Sequence, residues 1–290
     1  MNDNLYNEIT ITIVLYKEKL DLILDCLENI KNFKIIIVDN AGNIYLKKKI
    51  EKKFQIHKYI LNKNNCGITI AGNQAIKECS TEYVLFLSAD CLISEKNISL
   101  LLESHKKYNN CFITSPTYYD NKSNLSLNGG GLPEKNPSRE VLNLEGDVCV
   151  ETIVDAAILF KRKDIIELGL YDENFFLYYS DSDLCRRILK NKKSIIQIFE
   201  AKAQHDHGEI KVKNFLKKIF IRHYNFTFDE LYYFFKINEH YEKIKKLKEN
   251  MPAYIVKLIV NLFLLRFDKS VYYLSKILAF NKFKNFLKNN

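Results

Sequence analysis

No two of the seven cysteines stand at CxxC spacing, and an odd number scattered among apolar residues offers neither a disulfide framework nor a zinc site. A reducing compartment, and so a cytoplasmic location, is expected. The opening MNDNLYNEITITIVLYKE lacks a basic stretch followed by an apolar run, so no signal peptide is expected. The most apolar later run, Ala253 to Phe267, is broken by Lys257 and Arg266. It falls short of the roughly 20 apolar residues that a membrane-spanning helix needs. Neither a Walker loop nor GxGxxG occurs. Acids are scarce late in the chain: residues 211–290 hold 17 Lys/Arg against 6 Asp/Glu, whereas 1–210 hold 27 against 29. A net of +11 beside a net of −2 implies two regions facing different partners. With 47% hydrophobic residues over 290 positions, the chain has enough apolar material for a large core and is not disordered.

What is present begins as a βαβ pattern. Ile9 to Tyr16 reads as a buried strand, and Lys19 to Ile30 as a helix with Leu20, Ile23, Leu24, Leu27 and Ile30 on one face. Lys34 to Val38 is a second buried strand ending on Asp39-Asn40. Such a unit predicts a parallel sheet with right-handed crossovers and ligands at the carboxyl ends of its strands. Asp39 therefore stands where a ribose or base is gripped, although Asp-Asn before Gly42 is also ordinary turn chemistry. A helix over 47–54 and a strand over 57–61 follow. In NNCGITIAGNQAIKEC, Gly67 and Gly72 flank a helix start whose free N–H groups can hold a phosphate.

Tyr83 to Leu87 is the most emphatic buried strand and is followed by Ser88-Ala89-Asp90. An acid at the end of a central strand suits a divalent cation bridging a diphosphate. The alternative, a cap for the helix from Ser94 to Tyr108, is a job Ser94 does alone. Cys111 to Pro116 reads as a strand, and the Asn/Ser/Gly/Pro-rich stretch 117–145 as an irregular binding loop or a hairpin. Val148 to Lys161 returns to strand character with Asp155 inside it, a carboxylate that must face a cavity or a polar partner. A short helix over 164–168 follows. Glu173 to Arg187, ENFFLYYSDSDLCRR, sets four aromatics before an acidic helix start, with Ser180 as N-cap and Asp183 bonding back. A strand over 194–199 precedes HDHGE at 205–209. The tail reads as helices over 213–223, 228–250, 253–267 and 271–287.

Assembled, residues 9–210 resemble the family 2 glycosyltransferases of GT-A fold, in particular the rhamnosyltransferase-like branch that builds bacterial surface polysaccharides. The resemblance rests on Val14-Leu15-Tyr16, Asp39-Asn40, the segment from Asn65 through Gly67 to Asn73, Ser88-Ala89-Asp90 in place of an Asp-x-Asp motif, Asp172 to Phe176, Ser180 to Leu184, and His205. Three departures stand out. One acid remains in the metal motif, Ser180 replaces a Glu, and Asp155 occupies a position where relatives generally carry Gly.

The resemblance implies an α/β fold, GT-A, with a Rossmann-like mostly parallel central sheet. Residues 1–210 would form the nucleotide-sugar-binding and catalytic domain and 211–290 a basic helical extension. It implies inverting transfer of a sugar from a dTDP- or UDP-linked donor to a glycan or lipid-linked acceptor. Asp181 would be the base, and Asp90 with His205 would hold Mg²⁺ or Mn²⁺. Tyr16, Asp39, Asn40, Asn65, Gly67, Asn73, Ser88, Ala89 and Asp155 would line the donor site. The basic, aromatic tail suits an anionic membrane surface on the inner face of the cytoplasmic membrane. A solvated helical face or a homodimer contact is equally economical. Two rival functions are a non-catalytic nucleotide-sugar-binding relative and a nucleic-acid-binding protein. Against the latter, no nucleic-acid motif occurs and the positive charge is confined to the tail.

Overall fold

The computed structural model of the chain describes residues 3–126, 129–135, 145–205 and 214–289. Two compact units emerge, Met1–Glu173 with Ser180–Gly208, and Asn174–Tyr179 with Glu209–Asn290. The first runs through α1 (Asp3–Glu8), β1 (Ile9–Leu15), α2 (Leu20–Glu28), β2 (Lys34–Asp39), α3 (Ile44–Glu51), β3 (Lys58–Leu61), α4 (Gly67–Glu78) and β4 (Tyr83–Ser88). It continues with β5 (Cys91–Ile93), α5 (Glu95–Lys107), β6 (Cys111–Tyr119), β7 (Val148–Val150), β8 (Ala157–Lys161), α6 (Arg162–Glu167), α7 (Ser180–Lys190) and β9 (Ser194–His205). The strands form one sheet in the order β3-β2-β1-β4-β8-β6-β9-β5, with β7 pairing β9.

β1, β2, β3 and β4 pair in parallel; β8 is antiparallel to both β4 and β6, and β6 is parallel to β9. The sheet is therefore mostly parallel, as expected, with β5, β7 and β8 reversed. Its central strands are buried on both faces. Ile11, Ile13, Ile35, Ile37, Leu85 and Leu87 join one apolar cluster, while the intervening Ile36, Val38, Val84 and Phe86 join another. That is why KIIIV and YVLFL read as continuous apolar runs instead of alternating ones.

Several elements differ from the sequence reading. Val148 to Lys161 is two strands, and Asp155 stands in the turn before β8 rather than inside a strand. The turn takes the carboxylate to the end of the sheet, where it avoids the cost of an apolar interior. β6 and β9 extend beyond the expected ends at Pro116 and Phe199, and Pro116 lies at a register shift between them. α7 begins at Ser180 itself, after Tyr179 in the left-handed region (φ 61°), and Asp183 also accepts from Arg187 (Nε–Oδ2 2.9 Å). Ser94 caps α5 as expected, accepting from Asn97 N at 3.4 Å. Gly129–Gly131, within the stretch read as a loop or hairpin, bridges to Thr152 through Gly130, and Gly129 N donates to Gln197 Oε1 at 2.9 Å. His207 and the rest of HDHGE beyond His205 lie outside the described residues.

Among its described residues the second unit has three helices where four were expected: α8 (Phe215–Lys236), α9 (His240–Phe263) and α10 (Phe267–Asn289). Tyr224 to Thr227 contain no helix breaker, so α8 runs through the expected gap and ends before Asn238, at φ 60°. α9 continues through Pro252. Phe175, Phe228, Leu231, Tyr233, Phe280 and Phe283 build its core. Among the described residues, no helix is long and apolar enough to cross a membrane.

Inside this core sits a fully buried acid, Asp229. Its carboxylate accepts from Phe176 N (3.1 Å), Leu177 N (3.0 Å) and Tyr178 N (2.9 Å), so it closes the irregular segment 174–179. Burial raises its carboxyl from 3.8 to about 6, against the downward pull of the three N–H donors and of Lys282. A carboxyl raised on folding stabilises most when protonated in both states, and that contribution fades as pH rises through the folded value. The stability difference between the parent chain and Asp229→Asn should therefore fall from about pH 4 to about pH 6.5. Urea unfolding across that range checks it, and a difference that grows with pH would contradict the assignment.

Candidate active site

The register of the parallel strands gathers the sequence-predicted residues along one edge. Leu15 pairs with Asp39 and Val14 with Ser88, so the next residues, Tyr16, Asn40 and Ala89, leave the sheet side by side. Asn40 N donates to Leu15 O at 2.8 Å, and its side-chain amide donates to Gly67 O at 3.0 Å, which ties the start of α4 to this edge. Asn65 Oδ1 accepts from Gly67 N at 3.0 Å, and Gly67 holds φ 88°, a conformation suited to glycine. β8 runs antiparallel to β4, so its preceding turn, with Asp155, returns to the same edge; Ser88 N donates to Ala156 O at 2.7 Å.

Asp90 and His205 are 115 residues apart in sequence and adjacent in space. The antiparallel pairing of β5 with β9 sets His205 opposite Cys91, and His205 Nε2 lies 3.6 Å from Asp90 Oδ1. His205 is buried, with its ring against Tyr118 at 5.9 Å between centroids. A carboxylate and an imidazole are both fit ligands for Mg²⁺ or Mn²⁺. Among the described residues no set of three or more His, Cys, Asp or Glu is gathered for a metal. Asp90 and His205 are the described side chains that would hold such a cation beside a diphosphate.

Asp181 opens α7 within its first turn, and its Oδ1 accepts from Ser182 N at 2.6 Å and Ser182 Oγ at 3.2 Å. Its electrostatic neighbour is Tyr171, which also feels Asp155. Tyr171 carries no weight in the sequence reading, yet its buried hydroxyl has no hydrogen-bond partner among the described residues. Burial first, then Asp155, hold its phenol well above the usual value, so it keeps its proton. No sequence signal marks it, because its place depends on Phe86 (centroids 5.7 Å apart) and on Gly72, where a Cβ would meet Phe86 at 3.0 Å.

Other predicted residues are engaged by the protein itself. Asp39 is fully buried, and its carboxylate accepts from Ala41 N (2.7 Å), Asn43 N (3.2 Å) and Tyr59 Oη (3.3 Å), the hydrogen bonds of a turn. Tyr59 was not singled out in the sequence, and burial, then the Asp39 charge, push its phenol upward. Asn40 Oδ1 accepts from Asn62 Nδ2 (2.8 Å) and Cys66 Sγ (3.0 Å). Asn73 accepts from Tyr171 N (3.0 Å) and donates to Tyr171 O (2.9 Å) and Glu173 Oε1 (3.0 Å). It brackets residues 171–173 rather than opening onto the strand edge. Arg187 does the same for the preceding turn through Leu168 O (3.0 Å) and Leu170 O (2.7 Å). A groove beside Tyr119, Asp120, Lys202 and Gln204 stands apart, since Lys202 and Gln204 alternate with His205 along β9 and project from its other face.

Comparison with known proteins converges on one family. The family model "Glycosyl transferase family 2" matches residues 10–168. The dTDP-rhamnosyl transferase RfbF of Shigella flexneri is 27% identical over 221 residues, which cover 73% of this chain and 72% of that protein. The low-salt glycan biosynthesis hexosyltransferase Agl10 of Haloferax volcanii is 25% identical over 225 residues, 71% and 69% of the two chains. Among solved structures, GalNAc-T7 with UDP, GalNAc and Mn²⁺ superposes with a TM-score of 0.55 at 13% identity. That match covers 69% of this chain and 44% of the other, and it is a likeness of fold.

Replacing Asn73 by Ala leaves the buried Tyr171 N–H and carbonyl without their partner. The expected loss of stability is about 1–3 kcal/mol, read as a lower urea midpoint with an unchanged slope.

Proposed function

This chain belongs to glycosyl transferase family 2, and on that premise we propose that it is an inverting glycosyltransferase taking a dTDP- or UDP-linked sugar, rhamnose first among the candidates, to a glycan or lipid-linked acceptor of bacterial surface polysaccharide. The observation that carries the reading is the approach of Asp90 to His205 at the carboxyl end of the sheet, 3.6 Å between side chains that only the β5–β9 pairing brings together. The name of RfbF, a dTDP-rhamnosyl transferase, supports the donor class.

In this reading the nucleoside end of the donor lies against Tyr16, Asn40 and the start of α4, on a floor that Asp39 stiffens through its turn. Asn65 and Gly67 shape that start, and Ser88 and Ala89 lead into Asp90. Asp90 and His205 would hold a Mg²⁺ or Mn²⁺, whose charge offsets that of the departing diphosphate. Asp181 takes the proton from the acceptor hydroxyl as its oxygen attacks the anomeric carbon from the side opposite the leaving group, which inverts the configuration. Asn73 acts at one remove, by holding Tyr171 and Glu173.

Thermal unfolding with a panel of nucleoside diphosphates, each with and without Mn²⁺, tests the donor site, since a ligand of the native state raises the melting temperature by mass action. A rise selective for dTDP or UDP, dependent on Mn²⁺ and lost in Asp90→Ala, is the expected result. No rise with any nucleotide would overturn the donor site.

Asp181→Asn should lower transfer by about 10²–10⁴-fold while leaving the nucleotide-induced rise intact. An enzyme that transfers at the parental rate with this substitution does not use Asp181 as its base.

A further inference from the structure

Within the second half of α9, Met251, Tyr254, Leu258 and Asn261 recur at helical spacing and form its covered side. The opposite side is also apolar and is exposed: Ile255, Val256, Ile259 and Phe263 lie along it, and Leu265 and Phe267 extend it through the turn into α10. Phe263 is 84% and Leu265 71% exposed, the most protruding part of the patch. A helix apolar on both sides needs a second apolar neighbour, and a contiguous exposed patch of this kind marks an interaction site.

The charge around the patch selects among neighbours. From Met251 to Phe267 the chain carries Lys257 and Arg266 and no acid, and Lys269 follows one residue beyond Asp268. All three cations are exposed. A two-fold contact between copies would set this patch against itself and bring like charges together at short range. An anionic lipid surface instead offers acyl chains to the aromatic and aliphatic tips and phosphates to the cations. Since no helix among the described residues is long and apolar enough to span a bilayer, the segment suits the interface.

We propose that the end of α9 and its turn into α10 form a docking surface for an anionic lipid membrane, with Phe263, Leu265 and Phe267 entering the boundary between headgroups and acyl chains and Lys257, Arg266 and Lys269 pairing with lipid phosphates. This surface belongs wholly to the C-terminal unit and does not depend on the donor chemistry proposed above.

Flotation of the full chain with vesicles of equal parts phosphatidylglycerol and phosphatidylcholine tests it, alongside vesicles of phosphatidylcholine alone. The chain should float with the anionic vesicles, less so in about 0.5 M salt, where the Debye length shrinks to a few Å, and poorly with the neutral ones. Phe263→Ser with Leu265→Ser should reduce the bound fraction at least about tenfold. Both positions are exposed, so the melting temperature and any nucleotide-induced rise should stay at parental values. Failure of the parent chain to float, or equal flotation of the double variant, would overturn the proposal. So would a lipid-free dimer in analytical ultracentrifugation that the double variant converts to monomer, because the patch would then be a contact between copies.

Discussion

Burial of the central sheet on both faces constrains everything else in the first unit. With Ile, Val, Leu and Phe filling one cluster above and another below β1, β2 and β4, a charged side chain on those strands would be costly, and the buried hydroxyls of Thr10 and Thr12 are answered within the protein by Thr81 Oγ1 and Leu85 O. Chemistry is therefore confined to where the strands end. The shared register of β1, β2 and β4 makes that a single edge, because strands that start together and run in parallel also finish together. The reversed β8 and β5 add to it from the other direction: one returns Asp155 to this edge by the turn before it, the other starts directly after Asp90.

Irregular segments within each unit are held by buried polar side chains that answer backbone groups. Asn73 satisfies both main-chain groups of Tyr171, Arg187 takes the carbonyls of Leu168 and Leu170, and Asp229 takes three consecutive N–H groups of residues 176–178. The Tyr118 hydroxyl accepts from Ala157 N at 2.9 Å and so fixes the end of the turn bearing Asp155. Loops with so many unpaired backbone groups cannot be buried without such answers. Several side chains that resemble ligand contacts by type, Asp39, Asn40 and Asn73, have scaffold partners of this kind.

Most of the fold was legible because its signals are local. Continuous apolar runs marked the buried parallel strands, Ser94 marked a helix start, and the order of motifs from Asp39 to His205 pointed to the family. The misread elements turn on tertiary context. Nothing in the local pattern of 148–161 says that Asp155 must leave the sheet, and Pro252 is a breaker by propensity through which α9 nevertheless continues. β5 is only three residues long and exists because β9 runs past Phe199 to receive it. Of the site, the acids and His205 were legible as residue types, whereas Tyr171 and Tyr59 were not. A tyrosine becomes a site residue only through what surrounds its hydroxyl, and those surroundings come from residues up to about a hundred positions away.

The small ligand set at Asp90 and His205 has a consequence for the proposed reaction. In the proposed reading Asp90 and His205 would leave much of a six-coordinate shell to phosphate and water oxygens, and without a nucleotide they would hold a hard cation weakly. Diphosphate oxygens raise both the ligand count and the negative charge. Cation and nucleotide would then bind better together than either does alone, since by linkage each would strengthen the other by the same factor. A site with a second acid in place of Ser88 would hold its cation more tightly before the donor arrives and retain it more tightly after the diphosphate forms. In the proposed reading Ser88, at the end of β4, would therefore shift the site towards taking up and releasing the cation together with the nucleotide.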